Sequence, residues 1–272
     1  MSTMTQTQPK TSGLTFAELV QRNLPVVWLL FANPRKINLL SLALLAAGLL
    51  VGWAVSAAFA FPLWLVTLII LAVLMPAGLM KWRIDRAKYG GTVMLLSIVL
   101  ITQGLHTIEH VTQFAQYYLL LLPARQSNGL LSPANSEVVH FVWNWGVLIV
   151  VIALIRGGMR NIWMYLLLAV ATGHTFEHSY MFIRYLIVFQ DLQELGVGSV
   201  TAQGLAGIFG RDGWLARSPV TRGTFLSFLP GLTTAMRLDV HFWWNALELF
   251  LLLLAGRVFL RREWLQGANT EA

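Results

Sequence analysis

One short phrase occurs twice in this chain, as His106-Thr107-Ile108-Glu109-His110 and as His174-Thr175-Phe176-Glu177-His178. A second phrase follows each copy: His140-Phe141-Val142-Trp143-Asn144 after the first, and His241-Phe242-Trp243-Trp244-Asn245 after the second. These four segments hold all six histidines of the protein. Neutral imidazole is the commonest metal ligand, and histidine with carboxylate but no sulfur suits iron, copper, manganese or zinc. His106 and His110, like His174 and His178, stand at i and i+4. On a helix such side chains share one face about 5–6 Å apart and can grip one ion. His140 offers a third nitrogen to the first pair and His241 to the second. The two sets of three would hold either two separate ions or one dinuclear pair.

Glu109 and Glu177, beside these ligands, are the candidate catalytic groups, as bridging ligands, as proton acceptors, or as partners that fix an imidazole tautomer. Asn144 and Asn245 follow their histidines by one turn and suit hydrogen bonding behind the ligands. Gln113 and Met181 each lie seven residues after the first histidine of their copy. They share the ligand face and make the halves unequal. Glu248 lies on a face with His241 and has no counterpart in the first copy, where Val147 stands. It is either a carboxylate bonded within the bundle or part of a proton relay. Trp143, Trp145, Trp243 and Trp244 read as an aromatic belt at the membrane boundary rather than as stacking partners. His-x-x-Glu-His is formally the inverzincin word, in which two histidines hold zinc and the glutamate is the general base. The match is that word alone, and no family is assigned from it. In ligand count alone, two sets of three histidines are similar to coupled dicopper or di-iron centres.

The elements that must position these groups are membrane helices. The 272 residues are 57% hydrophobic and 11% charged, against about 25% charged in a soluble domain, and the mean hydropathy is +0.65. Six stretches reach the ~20 apolar residues that a bilayer core requires: 37–59, 62–80, 92–122, 137–155, 161–189 and 238–260. The expected fold is therefore all-α and polytopic, with six transmembrane helices. A duplicated two-helix unit forms a four-helix core that bears the ligands. Pro76 falls inside the second span, where neighbouring helices tolerate a kink. Residues 1–36 comprise a polar tail and an amphipathic interfacial helix over 14–31, stopped by Asn33-Pro34-Arg35-Lys36. No signal peptide is evident. Residues 37–91 carry two flanking spans, 92–160 the first copy, 161–262 the second, and 263–272 a tail.

Arg35 and Lys36, then Lys81, Arg83, Arg86 and Lys88, then Arg156 and Arg160, then Arg257, Arg261 and Arg262 all fall on one side of the six-span layout. That side is the cytoplasmic one, with both termini on it, as in a bacterial inner (plasma) membrane. The formal charge of +7 thus marks loops and gives no reason to expect nucleic acid. With zero cysteines, disulfides and thiolate metal sites are excluded. Spans three and five run in the same direction, so the repeat is parallel. The second copy is longer by 33 residues between His178 and His241, within or beside the connection 190–237. The glycines of that connection (Gly196, Gly198, Gly204, Gly207, Gly210 and Gly213) punctuate turns, and the segment reads as a re-entrant or interfacial lid. His106 stands roughly 21 Å along a helix that starts near Thr92. His174 has the same height, and His140 and His241 fall near the starts of spans entering from that side. All six imidazoles are thereby expected at one level in the outer half of the membrane.

The function read from this pattern is an integral membrane metalloprotein with a dinuclear iron or copper centre, zinc being the third candidate metal. It would be an oxidoreductase acting on a lipid-soluble substrate such as a quinone, a lipid or a hydrocarbon. The alternatives are a haem-binding transmembrane electron-transfer protein, a zinc-dependent hydrolase using Glu109 or Glu177 as base, and a metal carrier. Paired histidines only about 6 Å apart along a helix cannot each ligate a separate haem on one face. A carrier would need ligands at several depths.

Overall fold

The computed structural model describes residues 20–21, 23–31, 34–196 and 205–270. Seven α-helices are found among them, and no strand: α1 Pro25–Phe31, α2 Arg35–Phe59, α3 Leu63–Tyr118, α4 Glu137–Arg156, α5 Ile162–Glu194, α6 Trp214–Arg217 and α7 Arg237–Thr270. Short 3-10 turns lie at Ala124–Gln126, Ser132–Asn135 and Phe225–Phe228. The polar tail 1–13 and residues 14–19 and 22 of the amphipathic stretch 14–31 lie outside the described residues, as do 197–204 of the long connection.

Four helices are long and apolar enough to cross a membrane: Arg35–Phe59, Leu63–Tyr118, Glu137–Arg156 and Arg237–Glu263. By length and composition the chain is an integral membrane protein. Two differences from the six expected stretches have plain causes. The second and third stretches meet without a loop as the two arms of α3, because nothing between Leu63 and Tyr89 stops a helix apart from Pro76, and the break between the arms falls at Gly90. Lys81 and Asp85 stand one turn apart and pair at 2.7 Å, an arrangement that supports helix at the point expected to be a loop. Helical geometry fails only at Gly90, with φ 87° and ψ 175°, a region open essentially to glycine alone. The fifth stretch, α5, falls short in hydropathy because His174, Glu177, His178, Arg184, Asp191 and Glu194 interrupt it.

Helices α2 and α3 pack on each other through two glycines. A Cβ on Gly48 would lie 3.3 Å from the Ile70 backbone, and one on Gly52 would lie 2.8 Å from Val66. Gly48 and Gly52 form the small-xxx-small spacing that lets membrane helices approach closely. Lys81 is buried rather than solvated in a loop. Its ammonium donates to the Leu29 carbonyl at 2.9 Å as well as to Asp85, which ties α1 to α3.

The four-helix body is made of α4, α5, α7 and the part of α3 beyond Gly90. Helix α3 packs on α7, α4 on α5, and α5 on α7. At one end Leu96, Leu154, Met159, Met164, Leu252 and Leu260 form a fully buried apolar core. Thr92 bonds the Gly157 carbonyl at 3.1 Å there, and Asn161 bonds the Ala255 carbonyl at 3.1 Å. Asn161 also caps α5 through the Met164 N–H, and Ser136 caps α4 through the Val139 N–H, each satisfying a donor left free at a helix start. The outward faces remain apolar, with Leu42, Trp53, Val142, Ile149, Phe176 and Ile183 exposed, as a lipid-facing surface requires. The buried polar residues gather at the other end of the same four helices.

Candidate metal centre

All six histidines meet at that end. Ring centroids lie 4.7 Å apart for His106 and His110, and 4.9 Å apart for His174 and His178. Between these pairs, His140 and His241 stack face to face at 5.3 Å with 3° between their planes. His110 lies 5.7 Å from His140 and 5.3 Å from His241. His178 lies 5.0 Å from His140 and 4.9 Å from His241. The six rings therefore make one contiguous cluster, with two rings at its middle and a pair on either side.

The hydrogen bonds behind the rings decide which nitrogen is left for a ligand. The Asn128 carbonyl can only accept, so Asn135 donates its amide there at 2.7 Å. The Asn135 amide oxygen then accepts from Gln113 at 2.6 Å. That leaves the Gln113 oxygen to accept from Nδ1–H of His110 at 3.0 Å. His110 consequently carries its lone pair on Nε2. His140 Nδ1 stands 3.2 Å from the Ser136 carbonyl and His174 Nδ1 stands 2.9 Å from Glu248 Oε1, and the same reasoning bares their Nε2 atoms. His178 Nδ1 faces Glu137 at 3.5 Å. This contact is too long and poorly aligned to be a hydrogen bond, but attractive in a dry site. The Nε2 atoms of His140, His174 and His178 are buried without a hydrogen-bond partner.

Buried acceptor nitrogens with no donor cost free energy, and a cation beside them would supply the missing partner. The donor set fits a metal on this ground. His106, His110 and His140 place their ligand atoms within 4.8 Å of one another, and Nε2 of His106 and of His110 are 3.3 Å apart. Among the described residues this is the one such group of three. The set expected from His174, His178 and His241 does not close in the same way. The Arg237 guanidinium lies against Nε2 of His241 and satisfies the nitrogen that would complete it.

The remaining candidates fall into matched places. Glu109 accepts from the backbone N–H groups of Leu130 at 2.7 Å and Leu131 at 3.0 Å. Glu177 accepts from the Ile208 N–H at 2.9 Å and from Arg237 at 2.7 Å. A Cβ on Gly129 would collide with the Glu109 carboxylate, and one on Gly207 with that of Glu177. Each glutamate thus holds down the loop beyond its helix, and a glycine admits the carboxylate. Their carboxylate oxygens are taken by loop donors, so these contacts lend no support to a catalytic part. Asn144 and Asn245 donate back to the carbonyls of His140 and His241 at 2.8 and 3.0 Å. Thr107 and Thr175 reach across to the carbonyls of Asn245 and Asn144 at 3.5 and 3.2 Å. Met181 is buried as an apolar filler.

Two tryptophans assigned to an aromatic belt belong to the cluster instead. Trp143 lies 5.1 Å from His106 at 36°, and Trp244 stacks on His174 at 5.2 Å and 5°. The flatter stacking follows from Gly173, whose missing Cβ would lie 3.2 Å from the Trp244 ring; Leu105 holds the matching place. Trp145 and Trp243 are exposed, as a belt requires. Sequence reasoning missed four participants. Gln103 donates to Glu248 at 2.9 Å and to Asn245 at 3.1 Å, and accepts from the Trp143 indole at 3.1 Å. It lies one turn before His106. Arg237 lies one turn before His241, and Asn135 and Glu137 flank the start of α4. An ionisable Glu137 at the head of an apolar run was the available signal.

A cavity of about 160 Å³ reaches His140 and His241 from the loop side, between Gln113, Asn135, Arg211 and Arg237. No protein-family model matches the chain, and comparison with curated proteins and with solved structures found none similar.

Proposed function

We propose that this chain is a six-span membrane metalloprotein, arisen by duplication of a two-helix unit, whose histidine cluster holds a dinuclear iron or copper centre. It acts as an oxidoreductase on a lipid-soluble substrate of the quinone, lipid or hydrocarbon kind. Both termini lie in the cytoplasm, and the cluster lies beneath the opposite face. The observation that carries this reading is the convergence of six imidazoles, of which His140, His174 and His178 hold buried Nε2 atoms without a hydrogen-bond partner, while His110, His140 and His174 have Nδ1 fixed by a hydrogen bond. Carboxylates or carbonyls behind a ligating histidine set its tautomer and raise its basicity. Bound there, the metal pair would supply the electron exchange. The chain's own residues orient the ligands and leave an approach past Arg211 and Arg237.

The matched contacts of Glu109 and Glu177, of Asn144 and Asn245, and of Trp143 and Trp244 support the duplication. The alternatives fare less well. Ring centroids 4.7 to 5.7 Å apart leave no gap for a haem macrocycle. A zinc hydrolase with Glu109 or Glu177 as its base loses support, because both carboxylates are bound to loop donors. A carrier needs ligands along a path, and these form one cluster.

Elemental analysis of detergent-purified protein with its absorption spectrum is the test. Copper or iron near two per chain, with bands that bleach on reduction, is the expected result. Zinc alone, a Soret band, or metal retained in full by His110→Ala would overturn the reading.

A further inference from the structure

A second cavity, of about 230 Å³, lies on the loop side of α5 and is lined by Arg184, Arg211, Arg217, Arg237 and Asp212. It shares Arg211, Asp212 and Arg237 with the cavity that reaches His140 and His241. Its charges do not balance. Arg217 pairs with Asp212 at 2.6 Å, and Arg211 approaches the same carboxylate at 3.5 Å. The Arg217 hydrogen bond holds the Asp212 carboxyl below its ordinary range, so that counter-charge is present and already shared. Arg237 is balanced by Glu177 at 2.7 Å, yet its buried Nε has no hydrogen-bond partner. Arg184 donates to the Ala206 carbonyl at 2.9 Å and lies 5.9 Å from the Tyr180 ring, neither of which carries a negative charge. Glu137 also acts on Arg237, so four guanidiniums stand against three carboxylates around one hollow. Arg211 and Arg217 are mostly exposed, at 62% and 67% of the side chain, so solutes can reach it. Arg184 and Arg237 form its less exposed wall.

Guanidinium forks match planar and tetrahedral oxyanions bidentately, and the hollow is large enough for one such group. We propose that this cavity binds an oxyanion, a phosphate or carboxylate group that is either free in solution or carried by a lipid headgroup. The bound group sits one guanidinium, Arg237, away from His241. The site does not depend on whether metal occupies the histidines.

The test uses the full chain in nanodiscs of phosphatidylcholine, titrated calorimetrically with inorganic phosphate against chloride at equal ionic strength. A parallel arm replaces part of the lipid with phosphatidylglycerol and follows the thermal midpoint. Saturable phosphate binding assigns the site to a free anion. Stabilisation by phosphatidylglycerol, competed by phosphate, assigns it to a headgroup. In either case Arg211→Gln, an exposed change that the fold tolerates, and Arg184→Gln should each weaken binding by about tenfold while metal content stays that of the wild type. Binding that is absent in both arms, or unchanged in Arg211→Gln and Arg184→Gln, overturns the proposal. Metal content is read in the same samples, so failure here is distinguishable from failure of the metalloprotein reading.

Discussion

The two halves of the histidine cluster use the same rings in the same order but back them with different chemistry. In the first half, His110 leans on the Gln113 amide and His140 on a backbone carbonyl. In the second half, carboxylates stand behind the rings, Glu248 at His174 and Glu137 at His178. The second half also contains Arg237, which satisfies His241 and neutralises Glu177. A carboxylate makes a ligating imidazole a stronger donor, whereas a guanidinium beside the third ring opposes a cation. Like ligands therefore do not make like sites. The first half closes around a point with uncharged support, and the second trades one ligand for a charge network.

Removing a ring shared by both halves should break the comparison most severely. His140 belongs to the close triad and also stacks on His178 and His241. His140→Ala is expected to reduce metal per chain to background. His174→Ala leaves the triad intact and is expected to lose only part of the metal, and elemental analysis of the two variants reads the difference.

The loop anchors come next. Glu177→Gln leaves the mostly buried Arg237 without the carboxylate it is paired with and should destabilise the protein by about 3 kcal/mol, as loss of one partner of a buried pair does. Glu109→Gln weakens hydrogen bonds to neutral N–H groups only and should cost about 1 kcal/mol. Thermal unfolding in detergent measures both, and equal losses would erase the contrast.

A smaller effect separates the supports behind the ligands. Glu248→Gln should lower metal affinity by about tenfold or more, the usual consequence of losing a carboxylate behind a ligating histidine. Gln113→Leu should lower it less, since a neutral amide is lost. Competition with a chelator ranks the two. Smallest are Asn144→Ala and Asn245→Ala, each removing a hydrogen bond to a histidine carbonyl at about 1 kcal/mol. Asn245→Ala should cost more, because Asn245 also accepts from Gln103.

The amino-acid sequence by itself determined which residues could be ligands and that helices would carry them. Histidine is scarce and costly in an apolar chain, so six in two ordered sets mark a site before any packing is known. Periodicity also placed Gln113 and Glu248 on the ligand faces, because residues three or four apart on one helix are neighbours wherever that helix lies. Only the tertiary structure decided what faces what between helices. Arg237 closing off His241, Glu137 behind His178, Gln103 joining Asn245 to Glu248, and Trp244 lying flat on His174 all depend on how one helix is rotated and set against another. Hydropathy and spacing within a single segment carry no record of that rotation. The same holds for α3, where Lys81 and Asp85 look like loop charges in a list. They become a buried pair because α1 brings the Leu29 carbonyl to meet them.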